Sequence, residues 1–333
     1  MIKKKNVILL SMLLIAVLAF TACGGKKETK PAVKAGPLKL TIAGGSIGGA
    51  WAAIGEGVAE SVRRTFPGST IAYEVGQEAA NIALVGSNKL ELGVAHSGLV
   101  KMAMEGAGPF TGRAMPNLRA VAVLHEEAAH HFIVKADAGV KSFEDIAKVP
   151  FKVNMNTKDS FMEIVAKATL DAYGITYDQI RKSGGSVDFM SMGSSLDLMK
   201  DGKIQAYSNL IQMPSSHVVD ASISMNLILL PTSEAVIQKL NATVGTYKSV
   251  IPKGTYSFLK EDIPTVAGTL ILVTSADVPE DVIFNVTKSM YTNIDFLKTI
   301  HASLANLTVD TMKKVAPAKL HNGAVKFFDS VKK

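Results

Sequence analysis

Apolar positions along the chain switch repeatedly between a period of two and a period near 3.6. The stretch 38–43 reads as a strand, and Trp51, Ile54, Val58, Val62 and Phe66 recur at helical spacing, which predicts a helix over 50–66. Pro67-Gly68 stops that helix. The same reading predicts a strand over 70–75, a helix around 79–86, a strand over 92–97, a helix over 99–106 and a strand over 118–124.

The alternation then restarts. A strand is expected over 130–136, followed by a short helix headed by Ser142, with Asp145 at capping-box spacing. The run 151–155 reads as a strand leading into a helix over 161–173, with Ser160 and Glu163 as a second capping box and Gly174 as the stop. Strands are expected near 186–192, 205–210, 227–231 and 265–276, with helices over 233–240 and 279–301 and two short helices at the end. Strands alternating with helices predict an α/β fold whose parallel sheets are covered on both faces. Two such blocks of roughly 100 residues each make two lobes. Their ligand cleft is expected outside the carboxyl ends of the strands, where helix N-termini present free N–H groups.

The first residues break this pattern. Lys3, Lys4 and Lys5 precede an uncharged apolar run over 7–20, shorter than the ~20 residues of a membrane span. It reads as a secretory signal over 1–22. Cys23, the only cysteine, directly follows Thr21-Ala22. That placement resembles a bacterial lipoprotein signal, with Phe20 departing from its usual aliphatic residue, and implies lipid on Cys23. The segment 23–37 carries Pro31 and Pro37 without apolar period and reads as a tether.

Charge sharpens this picture. Lysine and arginine number 36 against 29 acids, a net of +7. Lys3–Lys5 supply three of these charges, and 24–37 supplies a net three. The remaining 296 residues are therefore near +1. A nucleic-acid partner, which needs a basic surface, has no support.

Two motifs look catalytic. Residues 44–48, GGSIG, match the G-x-S-x-G nucleophile elbow, but Ser46 follows the first strand after the tether, with no upstream oxyanion loop. A serine esterase using Ser46 is therefore the least favoured reading. His125-Glu126-Glu127-Ala128-Ala129-His130-His131 resembles H-E-x-x-H with one residue too many; five apart on a helix, His125 and His130 would sit roughly 140° apart. The expected structure there is a chain turn with partly satisfied histidines. No Cys/His/Asp cluster has metal spacing, and no cofactor or catalytic residue is expected.

What remains is a set of residues at strand ends. The glycine-rich turn 44–51 offers backbone amides, with the Ser46 hydroxyl, Gly48 and the Trp51 ring beside them. His96 and Ser97 end one strand; Asn156, Thr157 and Ser160 follow another; Gln212 follows a third. Such a set suits a small polar or anionic molecule.

These residues resemble the TAXI-type solute receptors of TRAP transporters, a branch of the two-lobed periplasmic binding proteins (type II-like), from about Leu38 to the end. GGSIGGAWAAIGEGVAE resembles the family's glycine-rich turn into its first helix, with Trp51 at an aromatic position. The stretch 76–82 retains Gly76 and Asn81, and 92–98 and KLHNGAVKFF resemble further family segments. At 153–163 the chain departs. VNMNTKDSFME stands where the family has a Gly-Ser-Gly-Thr loop, and Phe161 and Met162 replace Gly and Thr.

With the lipoprotein-like signal, the resemblance implies a lipid-anchored, extracytoplasmic binding protein. Its expected ligand is a small organic anion or amino acid, of the glutamate, glutamine or dicarboxylate kind, passed to a TRAP membrane permease. Lobe 1 is expected over 38–127 and 276–333, lobe 2 over 128–275, in a monomer. The expected ligand-binding residues are Ser46, Gly48, Trp51, Asn81, His96, Ser97, Asn156, Thr157, Ser160 and Gln212. The alternative is a ligand-sensing lipoprotein that feeds a membrane signalling partner.

Overall fold

The computed structural model describes residues 36–332. The signal reading, Cys23 and the tether up to residue 35 lie outside them. Strand β1 (Lys39–Gly44) buries Leu40, Ile42 and Ala43, and α1 (Ala50–Thr65) buries Ile54, Val58 and Val62 at four-residue spacing. β2 (Thr70–Val75), α2 (Glu78–Gly86), β3 (Leu92–His96) and α3 (Ser97–Glu105) complete the first block. Gly106 ends α3 at φ 66, a left-handed turn that glycine adopts without steric cost.

The next strand corrects the sequence reading. The expected strands 118–124 and 130–136, with the histidine-rich turn between them, form one continuous strand, β4 (Leu118–Lys135). Its polar middle stays in the strand because residues far away in sequence satisfy it. Tyr247 donates its hydroxyl to the Glu126 carbonyl, Thr269 donates to the same oxygen at 3.2 Å, and Ser249 donates to the Glu127 carboxylate at 2.7 Å.

The second block comprises β5 (Lys152–Asn154), α4 (Phe161–Ala172), α5 (Tyr177–Lys182), β6 (Ser186–Asp188), α6 (Met192–Lys200) and β7 (Ala206–Ile211). α7 (Ser216–Ser224), β8 (Leu227–Leu229), α8 (Glu234–Val244), β9 (Tyr247–Ile251) and β10 (Ile263–Ser275) follow. The chain closes with α9 (Glu280–Thr292), α10 (Ile294–Ile300), α11 (Val309–Met312) and α12 (Asn322–Ser330).

Two local expectations change. The helix expected over 279–301 is broken at Asn293, whose side-chain amide donates to Ser289 and Ser61 carbonyls and to Thr65 Oγ1. The cap at Ser160 is one-sided: its Oγ accepts from the Glu163 N–H, but the Glu163 carboxylate takes the Tyr177 hydroxyl at 2.8 Å instead of reaching back. At Ser142 both halves of the capping box are present.

The strands join in one mixed sheet, ordered β2-β1-β3-β10-β4-β7-β5-β6, with β8 on β4 and β9 on β10. Purely parallel sheets were the expectation. Within each block three strands are parallel, in matching orders β2-β1-β3 and β6-β5-β7. The fourth strand is antiparallel and is lent by the other crossing: β10 lies on β3, and β4 lies on β7. β10 changes neighbours midway, pairing with β9 through 263–267 and with β3 through 270–274. β4 likewise pairs with β10 through its first half and with β7 through 129–134. Bulges near Gly268 and Leu270, opposite 125–128, mark the place where both long strands pass from one block to the other.

Candidate ligand-binding site

The turn after β1 is held from beneath. Tyr73 donates its hydroxyl to the Gly45 carbonyl at 2.8 Å, and burial raises that phenol to about 12. Asn81 is fully buried, and its side-chain amide donates to the Gly44 carbonyl at 3.1 Å and more distantly to the Val94 carbonyl. It thus ties the ends of β1 and β3 together as a positioning residue. Above this support Ser46 and Gly48 are exposed, and Gly48 turns the chain at φ 83. Among the described residues no histidine or carboxylate is hydrogen-bonded to Ser46, so the elbow motif presents a hydroxyl without a base.

Trp51 and His96, expected from sequence, do come together. Their ring centroids are 5.6 Å apart, and His96 stacks on Phe161 at 5.2 Å with an interplanar angle of 29°. The Phe161 ring is fully buried between two glycines. A Cβ at Gly98 would run into that ring, and one at Gly268 would meet it at 2.9 Å. Glu78, a residue that sequence reasoning missed, completes the cluster. Its carboxylate accepts the His96 N–H at 2.7 Å and the Phe161 N–H at 2.9 Å, and it lies 3.0 Å from His96 Nδ1. An acidic residue in a first helical turn looks ordinary in sequence, and nothing nearby in the chain announces those partners.

The other expected residues use their polar atoms internally. Ser97 donates to the Ala316 carbonyl at 3.0 Å. Ser160 donates to the Thr157 carbonyl at 2.6 Å while capping α4. Asn156 stands at φ 70, accepts from the Thr157 N–H at 2.7 Å, and donates to Tyr207 and Asn209 at 2.7 and 2.9 Å. Thr157 donates its hydroxyl back to Asn156 Oδ1. These four organise their loops.

Gln212 lines a cavity of ≈ 340 Å³. Its walls come from three remote segments: Val123 to Glu127 of β4, Gln212 to Pro214 after β7, and Ala302 to Thr311 before and within α11. The lining residues include His125, Glu126, Glu127, Gln212, Ser303, Asn306 and Thr311, and none of them is Lys or Arg. Lys314 pairs with Glu126 at 2.6 Å. Burial first, and then the nearby His96 and His301, lower His125 to about 4, so its ring is neutral at pH 7.

The remaining histidines of β4 are structural. His130 and His131 are buried and lowered to about 3 and about 4, chiefly by that burial. His131 Nδ1 faces the Ala129 carbonyl at 2.9 Å, which places the proton there and leaves Nε2 to accept the Tyr256 hydroxyl at 2.9 Å. The Tyr256 oxygen in turn accepts the Ser215 N–H at 3.0 Å. His130 Nε2 lies 2.8 Å from Ser208 Oγ.

The sequence pattern of the NMT1-like family matches residues 42–330, which includes both blocks and every wall of the cavity. The chain belongs to the NMT1-like family. Among solved structures, this NMT1-like chain is similar to the periplasmic binding protein BugD. The match has a TM-score of 0.54 and 13% identity and covers 88% of this chain and 96% of that one. It shares with BugD the two-lobed α/β fold of periplasmic binding proteins. It also matches the alkanesulfonate-binding protein SsuA from Xanthomonas axonopodis pv. citri bound to MOPS, at TM-score 0.49 and 13% identity, over 89% of this chain and 84% of that one. A third match is PhnD1 from Prochlorococcus marinus (MIT 9301) in complex with methylphosphonate, at TM-score 0.47 and 13% identity, over 88% and 89%. Among the described residues of this NMT1-like chain, no helix is long and apolar enough to cross a membrane, and no group of three or more His, Cys, Asp or Glu could hold a metal ion.

Proposed function

We propose that this chain is an extracytoplasmic solute-binding protein that captures a small polar molecule and delivers it to a membrane permease. The observation that carries this reading is the cavity walled by β4, the segment after β7 and the segment before α11. It lies where the long strands pass between the two blocks, so a bound molecule touches both. The lobe division we propose keeps 38–127 and 276–333 on one side and most of 128–275 on the other, with β10 crossing near Thr269. Closure is then a hinge motion about β4 and β10.

The TAXI-type resemblance supports a TRAP permease as the partner of a monomeric receptor, and the lipoprotein-like placement of Cys23 supports that residue as its lipid-bearing anchor. Of the ligands that resemblance implies, the wall favours those bearing an amino group, such as glutamate or glutamine, over a bare dicarboxylate. Its lining residues include Glu126, Glu127 and the neutral His125 but no Lys or Arg, although Lys314 already pairs with Glu126. Gln212 lies in the wall, and His96 is near enough to the lining residue His125 to lower it. Ser46 and Gly48 occupy an exposed turn, which we place at the rim.

The test is a thermal-shift panel of amino acids, dicarboxylates, oxo-acids and amines on the mature protein. A ligand at a hundred times its Kd stabilises the folded state by about 2.7 kcal/mol, a rise in Tm of roughly 4 °C for a folded part of this size. At least one amino-bearing compound is expected to produce it, and Gln212→Ala is expected to weaken the response. A panel with no shift from any class would remove the reading.

A further inference from the structure

The Glu78 carboxylate has a setting unlike that of any other acid among the described residues. The residue is 4% exposed, yet the basic side chain beside its carboxylate is the imidazole of His96 at 3.0 Å rather than a Lys or Arg. Its two oxygens are divided between helix starts. One accepts the N–H of His96, the N-cap residue just before α3; the other accepts the N–H of Phe161, the first residue of α4. Helix N-termini hold anions through free N–H groups and the helix dipole, so this is a carboxylate seated in a place built for one. The two helices come from different blocks. α3 follows β3 in the first, and α4 follows β5 in the second. The Phe161 ring packs into the slot between Gly98 and Gly268 in the same direction, against His96.

We propose that Glu78 is a built-in substitute for a ligand carboxylate: it occupies the acid-binding position at the α3 and α4 N-termini and latches the two lobes together on that side without a solute. A captured molecule therefore does not dock an acid group at these helix starts, and its specificity is decided in the neighbouring cavity. The latch stands on geometry alone; the consequence for specificity rests on the solute-binding reading.

The experiment removes the side chain and offers its functional group back. Glu78→Ala leaves a space of carboxylate size lined by two unpaired N–H groups, and sodium acetate is the probe. The variant is expected to lose about 5 °C or more in Tm, because truncation leaves buried donors unsatisfied. Its radius of gyration by small-angle scattering is expected to rise. Acetate titrated at constant ionic strength should restore both saturably, while the wild type stays flat. Glu78→Gln keeps the shape but turns an amide donor toward one N–H; it should be destabilised and should not respond to acetate. A Glu78→Ala protein as stable and compact as the wild type would overturn the latch. So would one that acetate fails to restore, or an acetate response equal in the wild type and both variants. If Glu78→Ala does not fold, a Glu78→Gln protein with unchanged Tm and scattering overturns the latch as well. Failure of the solute-binding reading would appear separately, as a silent thermal-shift panel on a wild type whose latch behaves as described.

Discussion

Lowering the pH from 7.5 to 5 is expected to remove on the order of 6 kcal/mol of folding stability. Three histidines account for it. His125, His130 and His131 are lowered to about 4, 3 and 4 in the fold, against about 6.5 in the unfolded chain. A group with a depressed folded value binds its proton more readily when unfolded. Its contribution is therefore complete above 6.5 and is lost as pH falls toward 4. At pH 5 each ring costs roughly 2 kcal/mol, the unfolded form being about 1.5 pH units past its midpoint while the folded ring stays neutral. His301 and His321, both lowered by burial, act in the same direction. Glu163, raised by burial, acts in the opposite one. Urea unfolding at the two pH values measures the sum. A loss of several kcal/mol, with an unchanged denaturant slope, is the expected result. Equal stability at both values would mean that these rings are not buried and neutral.

Phe161→Ala is expected to cost about 3–5 kcal/mol, the range for deleting a fully buried phenylalanine. The ring is enclosed on two sides by glycines whose missing side chains leave it room, and its removal leaves a void that neither glycine can fill. It also takes away the surface on which His96 stacks. Phe161→Leu fills part of the space and should cost less. The measurement is the shift in denaturation midpoint for the two variants at pH 7.5. A Phe161→Ala protein within about 1 kcal/mol of the wild type would mean that the slot is open to solvent rather than closed on this ring.

The first block was legible because its periodicity is local. Ile54, Val58 and Val62 mark the buried face of α1 without reference to anything distant. β4 was not legible through its middle. His130, His131 and the Glu126 carbonyl are satisfied by Ser208, Tyr256 and Tyr247, each tens of residues or more away, so the stretch looks polar and turn-like by itself. The mixed sheet was hidden for the same reason. A β-branched run such as 263–275 announces a strand but not its direction or its neighbours.

The site shows the same division. Trp51 beside His96, and Gln212 in a cavity wall, follow from residues at strand ends. Asn156, Ser160 and Ser97 have the right chemistry for binding, but the fold directs them to nearby backbone and side chains. Glu78 carries no sequence signal at all, since its role arises only when α3 and α4 are brought end to end against it.

The most direct test of the account is a fluorescence titration of Trp51, the only tryptophan in the chain, with the compound that gives the largest thermal shift. Trp51 is half-buried against His96, in the block that supplies one side of the proposed cleft. A solute closing the lobes is predicted to change its emission saturably, at one molecule per chain and micromolar or lower Kd, with Gln212→Ala shifting the curve to weaker binding. A compound that raises Tm but leaves Trp51 emission unchanged, or one whose binding is indifferent to Gln212, would place the solute elsewhere and contradict capture in this cavity.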